Sequence, residues 1–110
     1  MNVTALEFRT VGAARELADA SVNPYYLEDI KRRIGVARVR GALYAFAELC
    51  TCATERCPLS AGLLTGTTIM CQCHGSQFDV ATGAVVRGPA TAPLDTFQVR
   101  ERDGMLEVAV

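Results

Sequence analysis

The chain has 110 residues, 50% of them hydrophobic and 21% charged, with a net charge of -1. That balance belongs to a globular chain with enough length for one modest core, and it excludes both a disordered chain and a second domain. A near-neutral charge also argues against a nucleic-acid partner gripped through its phosphates.

The N-terminal run MNVTALEFRTVGAARELADA has no charged leader followed by an apolar stretch, so no secretory signal is expected. No apolar run reaches the length of a membrane span. A cytoplasmic protein without a membrane partner follows by default. In that compartment clustered cysteines point to metal or redox chemistry before structural disulfides. Val3–Phe8 alternates weakly and is predicted as an edge strand. Ala13–Ala20 (AARELADA) favours helix by composition, over one or two turns. Asn23-Pro24 signals a turn, with Tyr25 and Tyr26 after it as packing residues. Lys31-Arg32-Arg33 is the longest basic run. It reads as a solvated strand or turn face, or else as a docking patch for an acidic partner protein.

From Ile34 the pattern alternates apolar and polar around Arg40-Gly41, which predicts a hairpin of Ile34–Val39 and Ala42–Phe46. Gly66–Met70 is β-branched and reads as a strand running into Cys71. Phe78–Val86 reads as a hairpin turning at Thr82-Gly83. Phe97–Arg100 and Met105–Val110 flank a turn at Arg102-Asp103-Gly104. Short strands with turn signals at this spacing predict an all-β sandwich or small barrel.

All five cysteines and the single histidine fall between Cys50 and Asp79. Cys50-Thr51-Cys52 and Cys71-x-x-His74 sit at strand ends. Three thiolates and one imidazole suit a zinc ion or an iron–sulfur cluster; buried inert cysteines are the bland alternative.

The run CPLSAGLLTGTTIMCQCHGSQFDVATGAVVRGPATAPLDTFQV resembles the second half of a Rieske-type ferredoxin. The resemblance covers roughly Ile34 to Val110. It rests on Cys57-Pro58-Leu59, Gly62-Leu63, Gly66, Cys71-x-x-His74-Gly75, Phe78-Asp79, Thr82-Gly83 and Gly88-Pro89-Ala90. It implies an all-β fold, a Rieske-like antiparallel β-sandwich of short strands with a small cluster-binding subdomain. Residues 1–110 would form one Rieske-type domain, with its cluster-binding part at about 47–91. The cofactor implied is a [2Fe-2S] cluster, held in that family by a Cys-x-His loop and a Cys-x-x-His loop.

By this resemblance Cys71 takes the place of a cysteine ligand of the inner iron, and His74 that of an imidazole ligand of the outer iron. The first loop departs from the pattern, because it has no histidine. In one register Cys50 takes the cysteine position and Cys52 the histidine position, with a longer loop before Cys57. In the other, Cys52 and Thr54 take those positions, and the outer iron is one good ligand short. Lengthening a loop costs little, so the favoured set is Cys50, Cys52, Cys71 and His74.

In Rieske proteins of cytochrome bc complexes, cysteines at the positions of Cys57 and Cys73 form a disulfide. The resemblance implies the same here, with a pair of free buried thiols as the alternative. Ser76 stands where high-potential relatives place a serine that bonds a bridging sulfide. Phe78 stands where those relatives have a tyrosine, and it cannot donate. Pro89 falls in the loop that covers the cluster in the family; read alone, Gly-Pro is simply a turn. A cluster with three cysteines and one histidine should lie between the range of about -150 to +300 mV for histidine-ligated centres and about -400 mV for plant-type ones, nearer the low end.

The function implied is a one-electron carrier, reduced by a flavin-containing ferredoxin reductase and oxidised by a terminal oxygenase or other redox enzyme, with His74 as the exit point. No general base, nucleophile or substrate cavity is evident, so the chain does not read as an enzyme. The alternatives are a redox- or iron-sensing module, a structural zinc domain, or a cluster-free Rieske-like subunit.

Overall fold

The computed structural model describes residues 7–51 and 57–110. Ten strands follow one another: β1 (Phe8–Ala13), β2 (Ser21–Leu27), β3 (Arg32–Val39), β4 (Ala42–Ala47), β5 (Leu63–Thr65), β6 (Thr68–Met70), β7 (Gln77–Asp79), β8 (Val85–Arg87), β9 (Thr96–Arg102) and β10 (Met105–Ala109). They form two antiparallel sheets, one ordered β1-β10-β9-β4-β3-β2 and a smaller one ordered β5-β6-β7-β8. The all-β architecture expected from the short strands is therefore the one observed. The small sheet is contributed by the chain between β4 and β9, and the large sheet closes on either side of it.

Two tight turns set the register of the large sheet. Arg40 and Gly41 both have positive φ, 51° and 82°, as do Asp103 and Gly104, 53° and 79°. Two consecutive left-handed residues make the turn whose twist matches paired strands. Ile34 thereby faces Ala47 and Val36 faces Ala45, while Leu106 faces Glu101 and Val108 faces Val99. The sheet curls until its outer strands approach, so that a Cβ on Gly12 of β1 would stand 2.9 Å from the Tyr25 ring of β2. The result is a partly closed barrel.

β3 is buried on both faces, and this joins the two sheets. Ile34 and Val36 point into the barrel with Leu17, Leu27, Leu106 and Val108. Ala37 and, from β4, Phe46 point the other way, into a second core with Leu59, Ile69, Phe78, Cys50 and Cys71. That second core lies directly beneath the cysteine loops. Gly35 gives the Phe46 ring its place, since a Cβ there would come within 2.6 Å of the ring.

Several local expectations change. Ala13–Ala20 is not a helix: it holds one 3-10 turn, Ala14–Glu16, with no side-chain cap. So short a segment cannot repay helix nucleation, and burying Ala14 and Leu17 in the barrel core satisfies its apolar residues instead. Asn23-Pro24 is not a turn but the middle of β2, with Pro24 opposite Gly35. β2 is an edge strand, where proline's missing N–H disturbs no ladder on the open side. The first described strand is Phe8–Ala13; the strand expected over Val3–Phe8 lies, before Glu7, outside the described residues. Gly66-Thr67 is the turn between β5 and β6, so the expected strand over Gly66–Met70 starts at Thr68. Among the described residues no helix is long and apolar enough to cross a membrane.

Candidate metal centre

The second cysteine loop is the tip of the β6–β7 hairpin. Its base is the cross-strand pair Ile69 and Phe78, both fully buried. The Cys71 N–H donates to the Ser76 carbonyl at 2.7 Å, and the Gly75 N–H donates to the Cys71 carbonyl at 3.0 Å. Gly75 has φ of 78°, which turns the chain back toward β7 and which a side chain would resist. The consequence is a sharp division within four residues. The Cys71 thiol is fully buried, whereas Gln72, Cys73 and His74 are exposed.

The first loop leaves β4 in a short ladder. Leu49 bridges Pro58, the Cys50 N–H donates to the Cys57 carbonyl at 2.9 Å, and the Leu59 N–H donates to the Glu48 carbonyl at 2.7 Å. Cys50 and Cys57 are buried. The Thr51 hydroxyl donates to the Ala92 carbonyl at 2.6 Å, tying this loop to the segment after β8. Cys52 and Thr54, where the two ligand registers differ, lie outside the described residues.

Three connections draw the loops together. Cys57 and Cys73 form a disulfide with their Cα atoms 6.5 Å apart. The sulfurs of Cys57, Cys71 and Cys73 lie within 4.8 Å of one another. The Ser76 hydroxyl, fully buried, accepts the Ala90 N–H at 3.0 Å, which holds the Gly88-Pro89-Ala90 loop against the second cysteine loop. Pro89 itself is exposed. Phe78 is fully buried in the core below, with no polar atom to offer.

Sequence reasoning missed Glu48. Its side chain is 0% exposed. One carboxylate oxygen accepts the Ser60 N–H at 2.8 Å, and the other lies 3.3 Å from the Arg33 guanidinium. A buried carboxylate is tolerated only when so partnered. Here it joins the chain on both sides of the first loop. An acid in the apolar run Ala45-Phe46-Ala47-Glu48-Leu49-Cys50 was the available signal, since charge in a core-facing segment asks for a partner.

The donors described fit a binuclear iron–sulfur cluster. A soft thiol is held inside the protein, and an imidazole on the same turn is held at its surface, as an inner and an outer iron would need. The core beneath is apolar and packed, which keeps water from the buried side.

A family profile described as "Rieske [2Fe-2S] domain" matches residues 7–98. The ferredoxin CarAc of Metapseudomonas resinovorans is 38% identical over 76 residues, covering 69% of this chain and 69% of that one. The anthranilate 1,2-dioxygenase ferredoxin subunit of Burkholderia cepacia is 30% identical over 107 residues, covering 97% and 95%. Among solved structures, a chain of a complex of reduced oxygenase and oxidized ferredoxin in carbazole 1,9a-dioxygenase superposes with a TM-score of 0.81 at 31% identity, covering 93% of this chain and 92% of that one. The matched span contains both cysteine loops and eight of the strands that frame them in full. On these grounds the chain belongs to the Rieske [2Fe-2S] domain family and carries that family's binuclear iron–sulfur cluster.

Proposed function

We propose that the chain is a Rieske-type ferredoxin that passes single electrons from a flavin-containing ferredoxin reductase to a terminal oxygenase or other redox enzyme, and is not itself an enzyme. The observation that carries this is the division of the second loop, a buried Cys71 thiol and an exposed His74 imidazole on one hairpin tip. The bound [2Fe-2S] cluster supplies a one-electron couple.

Cys50, Cys52, Cys71 and His74 hold it, Cys50 as the thiolate freed by reduction of the disulfide it has in the structure, with Cys71 and Cys50 on the protein side and His74 at the surface where a partner can approach. The Cys57–Cys73 bridge keeps the loops in register. Ser76 fastens the Pro89 loop over the second cysteine loop, and its hydroxyl can donate as well as accept. Phe78 contributes packing only, which leaves the couple without the donor a tyrosine would provide.

Residues 1–110 act as one Rieske-type domain, with the cluster-binding part at about 47–91, working in the cytoplasm. Support for the oxygenase partner comes from the names of the relatives, among them a dioxygenase ferredoxin subunit and a chain from an oxygenase–ferredoxin complex.

A second reading, a redox- or iron-sensing module, is favoured by one feature alone: the first loop has no histidine. Anaerobic reconstitution with iron and sulfide separates the two. A red-brown protein with absorption above about 400 nm and a reversible couple fits the carrier. Rapid, irreversible loss of colour in air fits the sensor, and a colourless protein defeats both. Repeating the measurement on Cys50→Ser, Cys52→Ser and Thr54→Val assigns the first-loop ligands.

A further inference from the structure

The basic run at the β2–β3 turn has no part in holding the cluster, yet its position in the fold gives it one in recognition. Lys31, Arg32 and Arg33 line a cleft of about 530 Å³ together with Cys50, Thr51 and Asp95. The cleft therefore opens beside the first cysteine loop.

All three cations are exposed, and two of them are held in place. The Arg33 guanidinium is anchored at 3.3 Å by the buried Glu48 carboxylate while its side chain remains 47% exposed. The Arg32 guanidinium lies 5.6 Å from the centre of the Phe97 ring, a cation–π contact that limits its swing. Lys31 stands at the turn itself, with a backbone φ of 53°. Among the described residues lining the cleft, Asp95 is the one exposed carboxylate. A chain whose net charge is -1 thus concentrates preorganised positive charge at the mouth of a cleft leading to its cluster loop.

We propose that this cleft is the docking site for an acidic surface segment, clustered Asp and Glu, of a protein electron-transfer partner. The inference rests on the electron-carrier reading above and adds to it the surface used and the charge of the partner. Complementary charge beside the cluster steers a brief encounter without requiring a large buried interface, which suits a partner that must leave after each electron.

The test uses the full-length cluster-loaded protein, reduced with dithionite and mixed in a stopped-flow instrument with ferricyanide, an anionic oxidant, or hexaamminecobalt(III), a cationic one. Decaglutamate serves as the acidic-segment probe. Lys31→Glu with Arg32→Glu should slow ferricyanide about tenfold at low ionic strength and speed hexaamminecobalt(III), with both differences fading as salt rises. Decaglutamate should slow ferricyanide for the native protein and have no effect on the double variant. Arg33 is left untouched because it partners Glu48. If the Glu pair disturbs folding, Lys31→Gln with Arg32→Gln gives the same ordering at smaller size.

Equal rates for native and variant proteins with both oxidants overturn the docking proposal while leaving the carrier reading intact. So does an oligothymidylate of equal length that competes better than decaglutamate, because the patch would then be a nucleic-acid site. If the native reduced protein transfers an electron to neither oxidant, the carrier reading itself is what fails.

Discussion

Gly62 follows the 3-10 turn Leu59–Ala61 and stands where the first loop hands over to the small sheet. Its φ of -86° is open to any residue, so the need for glycine is one of space. A Cβ at this position would overlap the Met70 carbonyl oxygen, with the carbonyl carbon at 3.0 Å and the Leu59 carbonyl oxygen at 3.2 Å. Backbone on both sides leaves no flexible side chain to yield. Relief requires movement on the order of 1 Å, more than a close-packed interior absorbs without breaking contacts. Met70 pairs with Leu63 across β5–β6 and directly precedes Cys71, so the same movement displaces the buried thiol. Overpacking costs about 1–3 kcal/mol, and each cross-strand hydrogen bond lost adds about 1 kcal/mol. Gly62→Ala should therefore lose about 3 kcal/mol, which for a domain of this size lowers the melting temperature by roughly 12 °C or more.

The assay is thermal unfolding of the reconstituted protein together with its iron content and visible spectrum. Both stability and cluster occupancy should fall. Gly66→Ala is the control: a Cβ there meets open space, but φ is +58°. It should cost about 1–2 kcal/mol of backbone strain and leave the cluster spectrum unchanged. A Gly62→Ala protein that melts within about 3 °C of the native one and keeps a full, unaltered cluster would refute the steric argument.

Glu48→Ala should destabilise by about 1–3 kcal/mol, because it strands the Ser60 N–H; the Arg33 share is small, since that side chain is 47% exposed. Glu48→Gln keeps the acceptor and should recover most of the loss in urea unfolding; equal losses for both variants would contradict the hydrogen-bond account. Cys52→His, tested by spectroelectrochemistry, should raise the potential by on the order of 100 mV by exchanging a thiolate for an imidazole. No movement would count against Cys52 as a ligand, which both first-loop registers require. Cys73→Ser opens a bridge with a sequence separation of 16 and should cost about 3 kcal/mol, read as a lower melting point and faster loss of colour in air. Unchanged cluster lifetime in that variant would show that the bridge does not hold the loops.

The elements legible in the sequence were those whose information is local. Gly41 and Asp103-Gly104 announce their turns through residue types that accept positive φ, and the alternation on either side follows from the two-residue period of a strand. The second loop was equally plain, since Cys71, His74 and Gly75 lie on one turn whose hydrogen bonds run between near neighbours. What only the tertiary structure decided depends on residues far apart in the chain. Pro24 sits within a strand because it is at the sheet's edge, opposite Gly35. Ala13–Ala20 gives up its helical preference because Ala14 and Leu17 are buried against β3 and β10 residues. Glu48 is buried because Arg33 and Ser60 reach it from other segments, and the basic turn comes to line a cleft only when β3 lies beside β4 and the first cysteine loop. Periodicity reports which face of a strand is apolar; which partner covers that face is settled by the three-dimensional packing of segments that the sequence keeps separate.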